Sequence, residues 1–286
     1  MKYGVIDIGS NSVRLMISHG TVSQYKKIQT TRLAEGMGDE CVLQPLPIDR
    51  TVRAVCAFVE LAKNEKVDEL FVFATAAVRQ AVNKDDFIQA VKKSCGITVE
   101  VISGENEAEL GLKGALNGCD GGIIDVGGAS SEVTICVDNT TIYKKSIDVG
   151  AVKLKDFCGQ DRDKTKSFIK DKIGLYGTIP TANFYSIGGT ATTLAAVSQQ
   201  LDPYDPKKVD GYKLTVFELK RLVDLFYTLT MDERKKLKGL QPDRAEVIAG
   251  GALLLLEIVE KIGVDYITVS EKDNLEGFLM MKTENL

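Results

Sequence analysis

Two aspartates, Asp7 and Asp125, occupy equivalent positions in an internal repeat. Residues 3–17 align without gaps on residues 121–135, and each copy contains an apolar run, an Asp-x-Gly turn of small polar residues and a second apolar run. Such a turn places a carboxylate at the end of a strand and leaves backbone N–H groups able to bind phosphate. One copy would be weak support, because Asp-x-Gly is common in hairpins. From the duplication we expect the two carboxylates to face each other across a cleft and share a Mg²⁺ that also binds phosphate oxygens.

Small polar residues in these turns supply further phosphate donors. Gly9 and Gly127 permit a positive φ or a close approach of the backbone. A third glycine turn follows a strand-like run and begins a helix, which favours phosphate binding at the helix N-terminus, although a plain strand-to-helix turn explains it equally well. The phosphate-binding residues expected from the three turns are Ser10, Asn11, Ser12, Gly127, Gly128, Ala129, Ser130, Ser131, Gly188, Gly189 and Thr190.

The repeat predicts two related α/β halves that position these turns. Each half is expected to begin with a three-stranded meander, whose third strand lies at residues 24–31 in one copy and 140–148 in the other. The boundary is expected near residue 118, which gives domains 1–118 and 119–286, with the final helix able to pack back on the first domain. No low-complexity linker separates the halves, so we expect them to be joined tightly around the cleft.

Apolar periodicity predicts the remaining elements. Asp49 is expected to cap a helix, because apolar residues recur at helical spacing from Val52 to Ala62. The segment Pro203–Lys208 contains two prolines and two lysines and is expected to be a loop. Further strands are expected at 69–74, 97–102, 184–187 and 266–269, and further helices at 85–93, 104–116, 151–157, 164–175, 191–199, 216–229 and 244–261.

Composition excludes several classes of protein. The single histidine, His19, argues against His-ligated metal hydrolases and Ser-His-Asp hydrolases. A net charge of −4 disfavours nucleic-acid binding and requires a local basic surface for any polyanion. The sequence shows no signal-peptide pattern and no apolar run long enough to span a bilayer, which predicts a cytoplasmic protein without a membrane partner. The six scattered cysteines are expected to be reduced thiols.

Several segments carry a family resemblance. The first is Val5-Ile-Asp-Ile-Gly-Ser-Asn-Ser-Val-Arg-Leu15, and it is highly specific. It resembles the opening motif of the exopolyphosphatase and guanosine pentaphosphate phosphohydrolase family, which implies an actin-like fold of two ribonuclease-H-like domains flanking an active-site cleft. The resemblance covers the whole chain and implies a Mg²⁺-dependent hydrolase that releases the terminal phosphate of inorganic polyphosphate or a guanosine polyphosphate. The other matching segments are 74–81, 102–108, 124–132, 186–190, 244–248, 269–270 and 276–277.

The resemblance also implies roles for charged residues. It identifies Glu107 as the catalytic base that activates water and Arg79 as a phosphate-binding cation. It identifies Asp125 and Glu132 as metal-binding acids, which join Asp7 in the expected metal site. The residues alone favour a plainer interpretation of Glu107, since acids stabilise the start of a helix and two more glutamates lie in the same turn. Arg79 is alternatively a surface arginine on a short helix.

Three positions depart from the family pattern. Ala129 stands in place of a glycine in the second turn, where a β-carbon would crowd a phosphate or require another φ. Glu109 and Leu275 each stand in place of an arginine, which removes two cations from a site for polyanions. The C-terminal helical domain of longer family members, with its histidine and aspartate metal ligands, is missing from this sequence, and much of the family's dimer interface uses that domain. Both a monomer and a homodimer are therefore compatible with the sequence.

Two other functions fit the sequence less well than hydrolysis. A kinase-type phosphotransferase of the same fold lacks support, because no sugar-recognition segment is evident. A non-catalytic polyphosphate or nucleotide sensor is motivated by the three departures. The substrate's chain length stays open, and the basic residues able to line a polyanion path are Lys26, Lys27, Lys144, Lys145, Lys153, Lys155, Arg234, Lys235, Lys236 and Lys238.

Overall fold

The computed structural model describes residues 1–284 and divides the chain into two compact units. The first unit contains residues 1–110 and the segment from Asn274 onward, and the second contains Gly111–Asp273. The elements that begin in the first unit are β1 (Lys2–Ile8), β2 (Ser12–His19), β3 (Val22–Thr30), α1 (Pro45–Asn64), β4 (Glu69–Ala74), α2 (Ala76–Gln80), α3 (Lys84–Cys95), β5 (Glu100–Val101) and α4 (Gly104–Leu116).

The second unit contains the elements that follow α4. They are β6 (Gly121–Val126), β7 (Ser131–Val137), β8 (Thr140–Ile147), α5 (Ala151–Cys158), α6 (Arg162–Ile173), β9 (Phe184–Ile187), α7 (Gly188–Ser198), α8 (Pro206–Val209), β10 (Lys213–Thr215), α9 (Val216–Thr228), α10 (Met231–Arg234), α11 (Ile248–Ile262) and β11 (Tyr266–Val269). The chain then continues into α12 (Asn274–Thr283), which belongs to the first unit.

The two sheets share one topology. In the first unit the strand order is β3-β2-β1-β4-β5, and in the second it is β8-β7-β6-β9-β11 with β10 added at the edge. The first three strands of each unit pair antiparallel, whereas β4 and β9 pair parallel to β1 and β6. The register places Asp7 opposite Arg14 and Asp125 opposite Glu132. The repeated sequence therefore forms the same hairpin at the same place in both sheets.

Helix α12 completes the core of the first unit. Phe278 stacks on Phe73 with ring centroids 4.3 Å apart, and Leu275 is fully buried in the same apolar cluster. Gly277 lies directly on the carbonyl of Leu110, where a β-carbon would overlap the backbone. This close approach explains why the first unit includes a segment distant in sequence.

The boundary between the units differs from the expected one. The compact units divide within α4, after Leu110, and not near residue 118. The cause is that the C-terminal half of α4 contributes to an apolar cluster of the second unit. That cluster contains Leu112, Leu116, Ile123 and Ile187.

Three local expectations also need correction. Asp49 does not cap α1, which begins at Pro45 because proline's fixed φ suits the first helical position. The strand expected at 97–102 is only Glu100–Val101. The expected loop at 203–208 ends in the short helix α8, where the Asp205 side chain accepts a hydrogen bond from the backbone N–H of Lys207. Side-chain capping therefore began a helix in a segment whose prolines and lysines suggested none.

Arg234 does not belong to a basic surface. Its side chain is buried and donates to the carbonyl of Ala245 at 2.9 Å, to Gln160 Oε1 at 2.7 Å and to the carbonyl of Phe226. It therefore stabilises the second unit, and the expectation that it lines a polyanion path is wrong.

No helix within residues 1–284 has the length and apolar character needed to cross a membrane.

Candidate functional site

The turn between β1 and β2 has its carbonyl groups tied to the downstream backbone. The Ser10 carbonyl accepts from the N–H of Ala34 at 2.9 Å, and the Asn11 carbonyl accepts from the N–H groups of Thr31 and Arg32 at 3.0 and 2.8 Å. In a trans peptide the N–H points opposite to the C=O. The N–H groups of Asn11 and Ser12 therefore point away from residues 31–34, as an anion-binding turn requires.

The turn between β6 and β7 is built in the same way. The carbonyls of Gly127 and Gly128 accept from the N–H groups of Ala151 and Val152 at 2.9 and 2.8 Å, so the N–H groups of Gly128 and Ala129 point away from α5. Gly150 lies beneath this turn, and a β-carbon there would be 2.5 Å from the Gly128 carbonyl. Both turns thus present two adjacent amides in one direction.

Of the two expectations for the turn glycines, a close approach of the backbone is confirmed, since a β-carbon at Gly9 or Gly127 would lie 3.0 or 3.2 Å from the carbonyl oxygen of Ser12 or Ser130. Gly9 and Gly127 donate their N–H groups to the carbonyls of Ser12 and Ser130, each at 3.0 Å, so these two amides close the turns. Neither glycine has a positive φ. Ala129 also lacks a positive φ, and its side chain is buried, so the β-carbon at this position causes no backbone strain.

Asp7 forms an ion pair within its own hairpin. The carboxylate is buried, and its Oδ2 atom accepts from Arg14 Nε at 3.1 Å and from Arg14 Nη2. Arg14 is the cross-strand neighbour of Asp7, and its side chain is 20% exposed. The negative charge expected to bind metal in the first unit is therefore neutralised by a neighbouring side chain.

Asp125 and Glu132 place two acids on opposing strands of the second hairpin. Glu132 is buried, and its Oε1 atom accepts from Ser146 Oγ at 2.7 Å. Gly188 has a φ of +79°, and a β-carbon there would lie 2.7 Å from Asp125 Oδ1. The carboxylate of Asp125 therefore lies against the N-terminus of α7, as the absence of a side chain at Gly188 allows.

An additional arginine, from the turn Pro242–Arg244, lies at the start of α7 in the second unit. The guanidinium of Arg244 lies over Gly189, in the space that a β-carbon would fill. In the sequence Arg244 is only the first residue of the matching segment 244–248, and nothing local indicates a role for it. Thr190, expected to bind phosphate, instead donates its hydroxyl to the carbonyl of Val126 at 2.9 Å. Its side chain therefore fixes α7 to β6, and only its backbone amide is placed toward the helix N-terminus.

Glu107 lies in the first turn of α4 and forms an ion pair with Arg79. The helix begins after Ser103, whose hydroxyl accepts from the N–H of Asn106 at 3.0 Å. Glu107 Oε2 lies 2.7 Å from Arg79 Nη1, and the same nitrogen donates to the carbonyl of Ile102 at 3.2 Å. These contacts hold the carboxylate in one orientation.

The environment of Glu107 differs from that of its neighbours. Burial raises the pKa of Glu107, and the charge and hydrogen bond of Arg79 oppose that rise. The charge of Asp7 raises the same pKa and that of Arg14 lowers it, so the carboxyl lies within electrostatic reach of the first turn. Glu105 and Glu109 are exposed on the same helix, whereas Glu107 is buried. Helix-dipole stabilisation requires only exposed acids and does not explain this burial.

The remaining departures from the family pattern lie away from these contacts. Leu275 is enclosed in the core of the first unit, where it packs with Phe73 and Phe278, so it lines no phosphate site. Glu109 is an exposed side chain of α4. Of the two arginines that the pattern would supply, one would fall in an apolar core and the other on a helix surface.

The structure brings together two sets of the expected residues, one in each unit. The first set contains Asp7, the first turn, Arg79 and Glu107. The ends of β1 and β4 are joined beside it, because the backbone N–H of Thr75 donates to the carbonyl of Ile8 at 3.2 Å. Asp125, Glu132, the second turn and the start of α7 form the second set. The expectation that Asp7 and Asp125 face each other stays a prediction.

The fit of a metal ion differs between the two sets. Among residues 1–284 no group of three or more His, Cys, Asp or Glu side chains forms a metal-binding cluster. Mg²⁺ commonly uses only one or two protein carboxylates and completes its shell with water and substrate phosphate. The pair of Asp125 and Glu132 fits that pattern, whereas Asp7 already has a cationic neighbour in Arg14.

The comparisons with known proteins agree on one family. A model of the Ppx/GppA phosphatase family matches residues 18–286. A bifunctional 3-dehydroquinate synthase/phosphatase of Fusobacterium nucleatum is 31% identical over 98% of this chain, which spans 46% of that relative's length. Exopolyphosphatase 2 of Mycobacterium tuberculosis is 27% identical, and the alignment covers 98% of each protein.

A solved structure extends the similarity to the fold. The PPX-GPPA enzyme of Aquifex aeolicus is 30% identical with a TM-score of 0.79, and the match covers 98% of this chain and 99% of that one. The expected α/β fold class with two sheets is thereby confirmed.

Proposed function

Because the chain belongs to the Ppx/GppA phosphatase family, whose members are hydrolases of acid anhydrides, we propose that it releases the terminal phosphate of inorganic polyphosphate or guanosine pentaphosphate, with Glu107 activating the attacking water. Two relatives named for these kinds of substrate align with nearly the full length of this chain. Exopolyphosphatase 2 aligns with 98% of it, and a guanosine-5′-triphosphate,3′-diphosphate pyrophosphatase of Photobacterium profundum aligns with 97%. The latter is 26% identical, and the chain spans 58% of its length.

One observation carries the proposal of Glu107 as the base. A buried glutamate with a raised pKa lies at the start of a helix, where an arginine holds it and the charges of Asp7 and Arg14, beside the turn proposed to bind phosphate, act on its pKa. Phosphoryl transfer needs chiefly positioning and charge neutralisation, together with an acceptor that orients the nucleophile. A carboxylate whose pKa is raised above that of an ordinary surface glutamate is the stronger base once it is ionised.

Arg79 has two tasks in this proposal. It keeps Glu107 ionised against the cost of burial, and it adds a positive charge beside the position of the reacting phosphate. The amides of Asn11, Ser12, Gly128 and Ala129 would hold phosphate oxygens, because they point away from the segments that anchor their turns. Arg244 would supply a further cation at the start of α7.

Asp125 and Glu132 are the proposed ligands of Mg²⁺. When bound there, the ion would neutralise charge on phosphate oxygens. Asp7 stays a predicted ligand, although its pairing with Arg14 makes it the weaker of the three. A cytoplasmic protein that acts as a monomer or homodimer, without a nucleic-acid or membrane partner, also stays a prediction.

The Glu107→Gln variant tests the proposal. Glutamine keeps the shape and the hydrogen-bonding reach but loses the charge and the basicity. We expect kcat to fall about 10²- to 10⁴-fold, or roughly 3 to 5 kcal/mol of barrier, with an unchanged or lower KM, because one negative charge facing a polyanion is lost. Phosphate release would be measured from tripolyphosphate, long-chain polyphosphate, guanosine pentaphosphate and ATP, with and without Mg²⁺.

Glu105→Gln and Glu109→Gln are the matched controls, since both side chains are exposed on the same helix. We expect each to change kcat less than about threefold and stability by about 0.3 to 1 kcal/mol at most. Equal and small effects at all three positions would show that Glu107 only stabilises the start of α4. Tight substrate binding without phosphate release by the wild-type protein would instead identify a sensor.

A further inference from the structure

A pocket of about 270 Å³ lies in the second unit between the C-terminal end of α7, one face of α9 and the segment after α10. Its volume is just below the range of about 300 to 1,000 Å³ that drug-sized ligands occupy. Helix α7 separates this pocket from the proposed phosphate site, because the site lies at the first residue of the helix and Ser198, its last residue, lines the pocket. The pocket is therefore distinct from the site described above.

Three cations line the pocket, and no acidic side chain does. They are Arg221 on α9 and Lys236 and Lys238 in the segment after α10. Within residues 1–284 none of the three forms an ion pair, whereas the neighbouring Lys220 pairs with Glu260 at 2.8 Å. In a protein of net charge −4 this is a local concentration of positive charge.

The remainder of the pocket is largely apolar. Leu222 and Leu225 contribute from α9, Leu237 from the segment that carries the two lysines, and Val197 from the last turn of α7. Leu225 and Leu237 are only half-buried, so they leave apolar surface open to a ligand. Cations at the rim of an apolar pocket match a ligand that has both an acidic group and an apolar body.

The lysines have a simpler explanation, which the hydrogen bonds argue against. Cations near a helix C-terminus stabilise the negative end of the helix. At the end of α7, however, the carbonyls of Ala195, Ala196 and Val197 already accept from the backbone N–H groups of Gln199, Leu201 and Gln200 at 3.0 to 3.2 Å. The helix end is thus largely satisfied by its own backbone, and Arg221 lies in the middle of another helix.

We propose that this pocket binds a small amphiphilic organic anion, with its acidic group at Arg221, Lys236 and Lys238 and its apolar body against the leucines. The ligand class is an aromatic or branched aliphatic acid with a sulfonate, carboxylate or phosphate group. Binding there is independent of the hydrolytic reaction, since no residue of the pocket belongs to either set of site residues.

The test uses 1-naphthalenesulfonate as the probe, with calorimetric titration of the whole chain. The chain contains no tryptophan, so naphthalene fluorescence gives a second readout with little protein background. We expect a dissociation constant below about 1 mM for one site. Naphthalene-1-sulfonamide has the same rings without the charge, and sulfate has the charge without the rings; we expect both to bind at least about tenfold more weakly.

Protein variants locate the probe. Arg221→Gln combined with Lys236→Gln and Lys238→Gln is expected to weaken binding at least about tenfold, and Arg221→Gln alone about threefold. Lys220→Gln and Lys235→Gln remove adjacent charges outside the pocket and are expected to leave the affinity unchanged. A thermal unfolding curve for each variant shows that the fold is retained, as expected for exposed side chains.

Three results would overturn the proposal. The first is that no binding of the sulfonate is detected at concentrations up to about 10 mM, ten times the expected dissociation constant. The second is equal affinity of the triple variant and the wild type. The third is full displacement of the probe by equimolar tripolyphosphate, since that would show an electrostatic surface for inorganic polyanions without any requirement for the apolar leucines.

Discussion

The hairpins β1–β2 and β6–β7 share one strand pairing and differ in the charge of the side chain opposite the repeated aspartate. At that position the first hairpin has Arg14 and the second has Glu132. Asp7 is consequently neutralised within its own unit, whereas Asp125 faces a second acid. Like charges on opposing strands repel and are retained only where something compensates for them.

This difference indicates how one duplicated hairpin supports two roles. The first unit contains the proposed base and provides its own cations, Arg14 and Arg79, on either side of the acids. The second unit instead places two acids, Asp125 and Glu132, on opposing strands of its hairpin, with Arg244 at the start of α7.

The largest expected effect is that of Asp125→Asn. Asparagine preserves the shape against Gly188 but provides a weaker ligand, so we expect Mg²⁺-dependent turnover to fall by about 10³-fold or more, with little change in the thermal midpoint of the metal-free protein. The measurement is phosphate release as a function of Mg²⁺ concentration. Unfolding of the variant, together with a wild type that ignores Mg²⁺, would make Asp125 a structural residue.

Asp7→Asn is the matched substitution in the other hairpin. Since Arg14 already neutralises Asp7, we expect the Mg²⁺ concentration for half-maximal rate to change by less than about threefold, even if the rate itself falls. Equal losses of Mg²⁺ affinity at both positions would remove the distinction between the hairpins and restore Asp7 as a metal ligand.

A second prediction concerns stability and differs in size between the two hairpins. Arg14→Gln leaves a buried aspartate without its cation and is expected to lower the free energy of unfolding at neutral pH by about 1 to 3 kcal/mol, since Arg14 is partly exposed. Glu132→Gln keeps the size of the side chain and removes one charge of the cross-strand pair with Asp125, so it is expected to change the stability of the metal-free protein by less than about 1 kcal/mol. Urea unfolding measures both.

Mg²⁺ provides the control for this pair of variants. We expect it to raise the unfolding midpoint of the wild type and of Arg14→Gln, and to have little effect on Glu132→Gln. Destabilisation of similar size by both substitutions would mean that the two hairpins are electrostatically alike.

The smallest expected effect is a shift in the pH profile. Glu107 must be ionised to accept a proton, so kcat/KM should fall on the acid side with a midpoint above the ordinary pKa of glutamate, because burial raises the pKa of Glu107. Arg79→Gln and Arg14→Gln each remove a charge that lowers this pKa, so both should move the acid limb to higher pH. Arg53→Gln, an exposed cation of α1, should leave it in place. An unchanged acid limb in the first two variants would contradict the role of Glu107.

The sequence predicted most of the scaffold because the repeat carries it. The two hairpins and their turns follow from apolar runs bounded by Asp-x-Gly, and the observed α4 begins and ends at the residues expected for the helix at 104–116. These signals are local, so each can be recognised without knowledge of the tertiary structure.

The features that the sequence left open depend on contacts between distant residues. Nothing local indicates that Arg79 meets Glu107, that Arg244 lies over Gly189, or that Leu275 is part of a core. Arg234 appeared to be one of several surface cations, and only the surrounding carbonyl groups show why it is buried. Charge composition predicts how many cations a segment has, but packing decides which of them reach a ligand.

The membership of α12 in the first unit has a consequence for protein synthesis. Leu275, Phe278 and Leu279 fill the core of that unit, yet they follow the whole second unit along the chain. At translation rates of about 5–20 residues per second, the intervening segment takes about 10 to 30 s to emerge from a ribosome. During that interval the nascent first unit exposes apolar surface around Tyr3 and Phe73, whereas the second unit can complete its fold first. The half that carries the proposed catalytic base is therefore made first and finished last.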